Sequence, residues 1–151
     1  MKEVRSWKKV YLSDLEYIVT ELKGLVNLPA LIFLSGPVGA GKTTFIKKFV
    51  GGKNEVSSPT YSIINEAGNC AHADFYRIEK AEEIIHLEMS LYLEDKTYFF
   101  IEWGMPHINQ VHREIGDKFY YYDLEISLNN STDENDDQSR NFKLLELNPH
   151  V

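Results

Sequence analysis

The sequence has 151 residues, 43% of them hydrophobic and 26% charged, which predicts a single folded domain over residues 1–151 and excludes wholesale disorder. No apolar run approaches the ~20 residues that cross a bilayer, and the basic start lacks the apolar segment of a signal peptide, so we expect a cytoplasmic protein. The net charge of −7 and the single cysteine, Cys70, exclude a broadly basic nucleic-acid-binding surface and an intramolecular disulfide.

The first predicted elements are a helix and a buried strand. Ser13 and Glu16 have the spacing of a capping box, and apolar residues recur at helical spacing after them, which predicts a helix over residues 14–23. Gly24 is expected to end this helix. Residues 30–35, ALIFLS, form a continuous apolar run that is typical of a strand buried on both faces of a parallel sheet.

The segment SGPVGAGKTT follows this strand and matches the pattern G-x-x-x-x-G-K-[ST]; we call residues 36–41 the glycine loop. Glycines let backbone N–H groups converge on phosphate oxygens, and the helix predicted over residues 43–50 points its positive end at the same place. Lys42 is expected to reach the outer phosphates, and the Thr43 hydroxyl is expected to bind magnesium. The residues predicted to hold the nucleotide are Gly36, Val38, Gly39, Ala40, Gly41, Lys42, Thr43 and Thr44.

The rest of the chain alternates strands with helices. Strands are predicted over residues 60–67, 70–77, 97–103, 119–128 and 141–147, helices over 79–90 and 107–115, and a mobile acidic loop over 129–139. The strands 60–67 and 70–77 are joined by a turn at Gly68-Asn69. This pattern predicts an α/β fold, a P-loop NTPase-like three-layer sandwich with a mixed, largely parallel central sheet and antiparallel hairpin strands.

Two acidic residues at the ends of predicted strands are candidates for the metal and the attacking water. Magnesium bound beside a glycine loop needs a carboxylate from a neighbouring strand, and both Asp74 and Glu102 fit. Glu102 follows the more apolar strand and is the preferred metal ligand, which leaves Asp74 to orient or deprotonate water, although the reverse assignment remains open. His72 could assist Asp74 or be structural.

Two further residues are candidates for contact with the nucleotide. Thr60, in SSPTY, could close over the outer phosphate and magnesium, as switch loops do. Trp103 could stack on a base or a partner, although a tryptophan after a buried strand is often part of the core.

The motifs GAGKTT, SSPTY, HADFYR and IEW occur in this order, and in this combination the chain resembles the bacterial TsaE family, small ATPases of tRNA threonylcarbamoyladenosine biosynthesis. The resemblance spans nearly the whole chain and implies ATP and Mg²⁺ as cofactors. It also implies that six residues surround the nucleotide: Lys42, Thr43, Thr60, Asp74, Glu102 and Trp103.

The resemblance further implies a weak ATPase that acts with the TsaD and TsaB proteins, which transfer a threonylcarbamoyl group to adenosine next to the anticodon. Contact with tRNA would be indirect, and no membrane is involved. The chain departs from the family pattern at Pro37-Val38, where an acidic residue and leucine are usual, and in its acidic 129–139 segment. The first departure predicts altered stiffness of the loop or altered partner contact.

Two other functions remain compatible with the sequence. A small-molecule or nucleotide kinase would need an acceptor pocket and an arginine-bearing lid, yet only Arg113 and Arg140 follow Arg77. A non-hydrolysing docking switch would differ from an ATPase in whether Asp74 and Glu102 position water. The sequence has no N-K-x-D segment, which favours ATP over GTP.

Overall fold

The computed structural model describes residues 1–51, 63–129 and 138–149. The strands are β1 (Lys2–Val10), β2 (Ala30–Ser35), β3 (Ile64–Ala67), β4 (Cys70–Asp74), β5 (Tyr98–Glu102), β6 (Tyr120–Leu128) and β7 (Arg140–Glu146). The helices are α1 (Leu15–Leu25), α2 (Lys42–Val50), α3 (Ala81–His86), α4 (Ser90–Leu93) and α5 (Ile108–Ile115). In the described part of the chain, no helix is both long and apolar enough to cross a membrane.

The described strands form one mixed sheet in the order β1-β7-β6-β2-β5-β4-β3. Strand β2 pairs in parallel with β5 and β6, and β4 pairs in parallel with β5. The remaining pairs, β3 with β4, β7 with β6 and β1 with β7, are antiparallel. The predicted α/β fold is confirmed, and the four parallel strands end at the same edge of the sheet, where the glycine loop begins.

The sheet is covered by helices on both faces, which explains the continuous apolar run of β2. Ile32 and Leu34 point into the cluster that α1 and α2 complete with Leu22 and Phe45. Leu31 and Phe33 point the other way, into the cluster that includes residues of α3, α4 and α5. Successive side chains of a strand face opposite sides, so a strand between two helix layers is expected to be apolar at most positions.

Strand β1 was not predicted, because its sequence does not alternate. Only Trp7 and Val10 of β1 are buried, and they stand three residues apart. The pairing of β1 with β7 shifts register between Glu3 and Arg5 and again between Trp7 and Val10. Such bulges insert extra residues and destroy the two-residue period on which strand prediction depends.

Helix α1 is present, but its predicted ends are wrong. The Ser13–Glu16 capping box is not formed; instead Asp14 Oδ2 accepts a hydrogen bond from Tyr11 N at 2.9 Å, and a single 3-10 turn precedes the helix. Gly24 does not end the helix, which continues to Leu25. A glycine near a helix end lowers stability locally but does not by itself terminate the helix.

Other predicted boundaries also change. The helix predicted over residues 79–90 is two short helices, α3 and α4, separated by a break at which Glu88 has φ of 50°. Strand β4 ends at Asp74 rather than at residue 77. Some predictions lie outside the described residues. These are Thr60, the first residues (60–62) of the strand predicted over 60–67, and residues 130–137 of the predicted acidic loop.

Candidate functional site

The glycine loop connects the end of β2 to the start of α2 through backbone conformations that favour glycine. Gly39 and Gly41 have φ of 81° and 105°, values that other residues adopt only with strain. Gly36 also lies close to β6, since a Cβ there would stand 2.4 Å from the carbonyl oxygen of Ile126. The sheet therefore fixes where the loop begins, and α2 fixes where it ends.

Lys42 is buried at the start of α2 with its ammonium group inside the loop. Nζ donates to the carbonyl oxygens of Gly36 at 2.6 Å and Pro37 at 3.1 Å, and it lies 3.9 Å from the centre of the Trp103 ring. Burial lowers the pKa of Lys42, while the charges of Glu102 and Asp74 oppose that shift. The site therefore places one buried ammonium beside two carboxylates at the carboxyl end of the sheet.

Thr43 and Glu102 meet directly. Thr43 Oγ1 donates to the Glu102 carboxylate, with distances of 2.9 Å to Oε1 and 3.1 Å to Oε2. Glu102 is only 4% exposed, and its Oε2 also lies 2.7 Å from Nε2 of His72. The two residues predicted from sequence to hold magnesium are thus adjacent.

Asp74 lies beside Glu102 but is exposed to solvent. The two residues are register partners on the parallel strands β4 and β5, which places their backbones about 4.8 Å apart. Asp74 Oδ1 accepts a hydrogen bond from Tyr76 N at 3.0 Å. The structure therefore separates the two candidate carboxylates by environment, with Glu102 enclosed and Asp74 open to the cleft.

A cleft of about 500 Å³ unites these residues. Its walls are formed by Val38, Gly39, Ala40, Gly41, Lys42, Thr43, Thr44, Asp74, Tyr76, Glu102 and Trp103. Gly36, a predicted site residue, does not line the cleft but accepts the Lys42 hydrogen bond. Tyr76 was not predicted as a site residue. Its ring packs against Trp103 with 5.3 Å between ring centres, a contact that no sequence pattern indicates.

A second, smaller cleft of about 150 Å³ adjoins the first along the outer side of the glycine loop, and the two share Gly39, Ala40, Gly41 and Thr44. The rest of its lining is formed by Val10, Tyr11, Leu12, Leu15, Gln138, Arg140 and Phe142. Arg140 Nε donates to the carbonyl oxygen of Ala40 at 3.1 Å, which ties β7 to the loop. Sequence reasoning missed this cleft because its walls come from segments far apart in the chain.

The donor groups of the larger cleft fit magnesium. A hydroxyl from Thr43 and carboxylates from Glu102 and Asp74 are hard oxygen ligands, and Mg²⁺ is commonly held by one or two carboxylates together with substrate phosphates. Among the described residues, no group of three or more His, Cys, Asp or Glu side chains could hold a metal without further ligands. Since Mg²⁺ commonly combines one or two carboxylates with phosphate oxygens, these groups suit a metal bound together with a phosphate compound.

The fold and the site together define a class. A glycine loop between a central parallel strand and a helix, with an acidic residue at the end of the adjacent strand, is the arrangement of P-loop NTPase-like proteins. A family model described as "Threonylcarbamoyl adenosine biosynthesis protein TsaE" matches residues 11–141. The chain belongs to the TsaE family.

Individual relatives agree with this family. The chain is 31% identical over 111 residues to a Bacillus subtilis protein named tRNA threonylcarbamoyladenosine biosynthesis protein TsaE, covering 69% of this chain and 68% of the relative. A Haemophilus influenzae protein of the same name is 34% identical over 81 residues, 49% of this chain and about half (51%) of the relative. The crystal structure of Bacillus subtilis YdiB has a TM-score of 0.57 and 18% identity, over 97% of this chain and 87% of that chain, and shows the shared fold.

Proposed function

We propose that this protein binds ATP with Mg²⁺ in the larger cleft and hydrolyses it slowly. The observation that carries the proposal is the direct contact of Thr43 Oγ1 with the enclosed Glu102 carboxylate at 2.9 Å, beside the buried ammonium of Lys42. A hydroxyl, a carboxylate and a lysine brought together at a glycine loop are the groups that phosphoryl-transfer sites use. Membership of the TsaE family supports the same reading.

Each residue has a distinct proposed role. Lys42 would bind the outer phosphates in exchange for its two carbonyl partners, and the N–H groups of the glycine loop would surround them. Bound Mg²⁺, held by Thr43 and Glu102, would supply positive charge to the phosphate oxygens. Asp74, exposed at the cleft beside Glu102, would orient the attacking water and accept its proton.

The smaller cleft is the proposed site of the base. It shares Gly39, Ala40, Gly41 and Thr44 with the larger cleft, so a nucleotide could span both. Its apolar walls from Leu12, Leu15 and Phe142 suit a flat aromatic ring. No N-K-x-D segment is present in the sequence, which favours adenine over guanine. ATP rather than GTP is therefore the proposed nucleotide.

The proposed role of this ATPase is to support a complex of TsaD and TsaB in tRNA threonylcarbamoyladenosine formation in the cytoplasm. The names of the relatives give the pathway, and the negative net charge of this chain favours protein partners over direct contact with tRNA. Thr60 remains a proposed phosphate-side residue. Trp103 is proposed to pack beside the phosphates, since its ring lies over Lys42.

The test is ATP hydrolysis by the purified protein, alone and with TsaD and TsaB from its own organism. Wild type, Glu102→Gln and Asp74→Asn should be compared, with calorimetry of nucleotide binding on the same samples. We expect slow hydrolysis that rises with the partners. Both variants should retain nucleotide binding, Glu102→Gln should lose the response to Mg²⁺, and Asp74→Asn should keep that response with a lower rate.

Other results would assign the site differently. If Asp74→Asn loses the Mg²⁺ response and Glu102→Gln keeps it, the two carboxylates exchange roles. Rapid hydrolysis that ignores the partners, or transfer of phosphate to a small acceptor, would contradict the proposed function but not the proposed nucleotide site.

A further inference from the structure

His72 has an unusual set of contacts for a core histidine. It lies on β4, is 8% exposed, and places Nε2 only 2.7 Å from Glu102 Oε2. Its other ring nitrogen, Nδ1, is buried and has no hydrogen-bond partner among the described residues. Buried polar atoms are nearly always paired, so an unpaired ring nitrogen needs an explanation.

The contacts of the ring indicate which nitrogen carries the proton. A proton on Nδ1 would leave a buried N–H donor without an acceptor and would place the Nε2 lone pair against carboxylate lone pairs. A proton on Nε2 gives a short hydrogen bond to an ionised carboxylate, which is among the stronger kinds in proteins. The unpaired atom is then only a neutral lone pair. This geometry therefore favours a ring that carries a proton on Nε2 and donates it to Glu102.

We infer that His72 is a positioning residue that holds the Glu102 carboxylate in the orientation needed to bind the metal. Glu102 accepts hydrogen bonds from two sides, from Thr43 Oγ1 on α2 and from His72 Nε2–H on β4. Because Oε2 is hydrogen-bonded to His72, the carboxylate cannot rotate away from Thr43 without breaking that hydrogen bond. The inference rests on the proposed Mg²⁺-dependent nucleotide site and adds to it a residue that touches neither ligand.

The sheet explains why β4 can supply this support. His72 and Asp74 are two residues apart and therefore face the same side of the sheet, toward Glu102 on the neighbouring strand. Strand β4 thus carries a buried hydrogen-bond donor, His72, next to Glu102, and an exposed carboxylate, Asp74, at the cleft. Groups that orient metal ligands in this way typically change metal affinity about 10- to 100-fold when removed.

The first test is nitrogen NMR of the histidine ring in the wild-type protein. The chemical shifts of the two ring nitrogens report which of them carries the proton, independently of nucleotide or activity. We expect the His72 resonance to show protonated Nε2 and unprotonated Nδ1. An Nε2 without a proton would overturn the inference, because the ring could not then donate to Glu102.

The second test measures how strongly Mg²⁺ enhances ADP binding, by calorimetry with Mg²⁺ and with a chelator. In His72→Phe we expect the enhancement to fall about 10- to 100-fold while binding of metal-free ADP stays within about 2-fold of wild type. His72→Gln carries an amide N–H near the position of Nε2 and should recover most of the loss. The same two substitutions at His86, which is exposed on α3, serve as matched controls and should change nothing.

The outcomes separate the inference from the proposed function. If wild type shows Mg²⁺-enhanced binding and His72→Phe retains it in full, the inference is wrong and the nucleotide site stands. Equal weakening of metal-free and Mg²⁺-bound ADP would also overturn it, because a role in folding alone predicts that result. If His72→Phe does not fold, the comparison of His72→Gln with wild type and the tautomer decide the question.

Discussion

Asp123 is a buried acidic residue that the proposed chemistry does not use. It is 3% exposed on β6, and Ser35 Oγ donates to its Oδ1 at 2.6 Å. Burial raises the pKa of Asp123 to about 6; the Ser35 hydrogen bond opposes this shift, and nearby Glu125 adds to it. In the unfolded chain the same group has its ordinary pKa near 3.8. Between pH 3.8 and about 6, Asp123 is therefore mostly protonated in the folded protein and mostly ionised in the unfolded chain.

The sign of this difference predicts the pH dependence of stability. As pH rises from about 4 to about 6, Asp123 should destabilise the fold progressively, by on the order of 2–3 kcal/mol above pH 6. Asp123→Asn keeps an acceptor for Ser35 but cannot ionise. We therefore expect its free energy of unfolding in urea to exceed that of wild type at pH 7.5 and to converge with it at pH 4.

The opposite pH dependence of stability is expected at Asp95, because hydrogen bonding to Lys96 lowers the pKa of this carboxyl group. Asp95→Asn should not stabilise the protein at pH 7.5. If the stability gap between Asp123→Asn and wild type is constant across the pH range, the titration of Asp123 is not its cause.

Lys42 gives a second prediction at the residue scale. Lys42→Ala removes the buried ammonium and its two loop hydrogen bonds, so ADP affinity measured by calorimetry should fall roughly 10- to 100-fold. Lys48→Ala is the matched control, because Lys48 is on the same helix but exposed, with an ion pair to Glu16 at 4.0 Å. Equal affinity in Lys42→Ala and wild type would contradict the proposed role of the loop.

The sequence selected candidate site residues but did not indicate how they contact one another. The pattern G-x-x-x-x-G-K-[ST] and the strand-end position were enough to select Thr43 and Glu102, which the structure brings together. The bond from His72 to Glu102 joins two strands that pair only in the folded sheet, so no local spacing encodes it. The second cleft was missed for the same reason, since Leu12 and Arg140 are neighbours only in three dimensions.

At the scale of secondary structure elements, Gly36 determines how closely the glycine loop approaches β6. A methyl group at this position would collide with the Ile126 carbonyl at 2.4 Å, and that atom belongs to the backbone of a central strand. We expect Gly36→Ala to lower the melting temperature and to weaken ADP binding, because the loop must move relative to β6. Differential scanning calorimetry and binding calorimetry measure the two effects.

Gly24 provides the contrasting substitution. It lies inside α1 and no atom stands within 4 Å of a Cβ added there. Gly24→Ala should therefore stabilise the protein, by roughly 0.5 kcal/mol, and leave ADP binding unchanged. If both alanine variants behave alike, the close approach at Gly36 does not explain its effect.

Elements in the middle of the sheet were predictable and those at its edges were less so. Strands β2 and β5 lie between two helix layers, so their sequences are apolar up to the last residue, Ser35 or Glu102, and stand out from the rest of the chain. Strand β1 pairs on one side only and carries two register shifts, which leaves no periodic signal. The break between α3 and α4 was hidden because apolar residues continue through it.

For the whole molecule, the charge distribution predicts how it meets tRNA. The net charge is −7, with 23 acidic and 16 basic residues, so the average surface repels a polyanion despite exposed lysines such as Lys47 and Lys48 on α2. At physiological salt we expect that the protein alone does not retard tRNA in a native gel. A TsaD–TsaB complex, run in the same experiment, serves as the comparison. A salt-sensitive complex of tRNA with this protein alone would contradict the expectation.

The two ends of the sheet have a consequence for self-association. An exposed, flat strand offers unpaired backbone groups to another chain and can start aggregation. Here one end is β1, which carries exposed Lys2, Arg5, Lys8 and Lys9 and is bent by its bulges, and the other is β3, whose pairing covers only four residues. Within residues 1–51, 63–129 and 138–149, neither edge presents a long, apolar and regular template, which disfavours strand-by-strand growth into fibres even though the sheet is open.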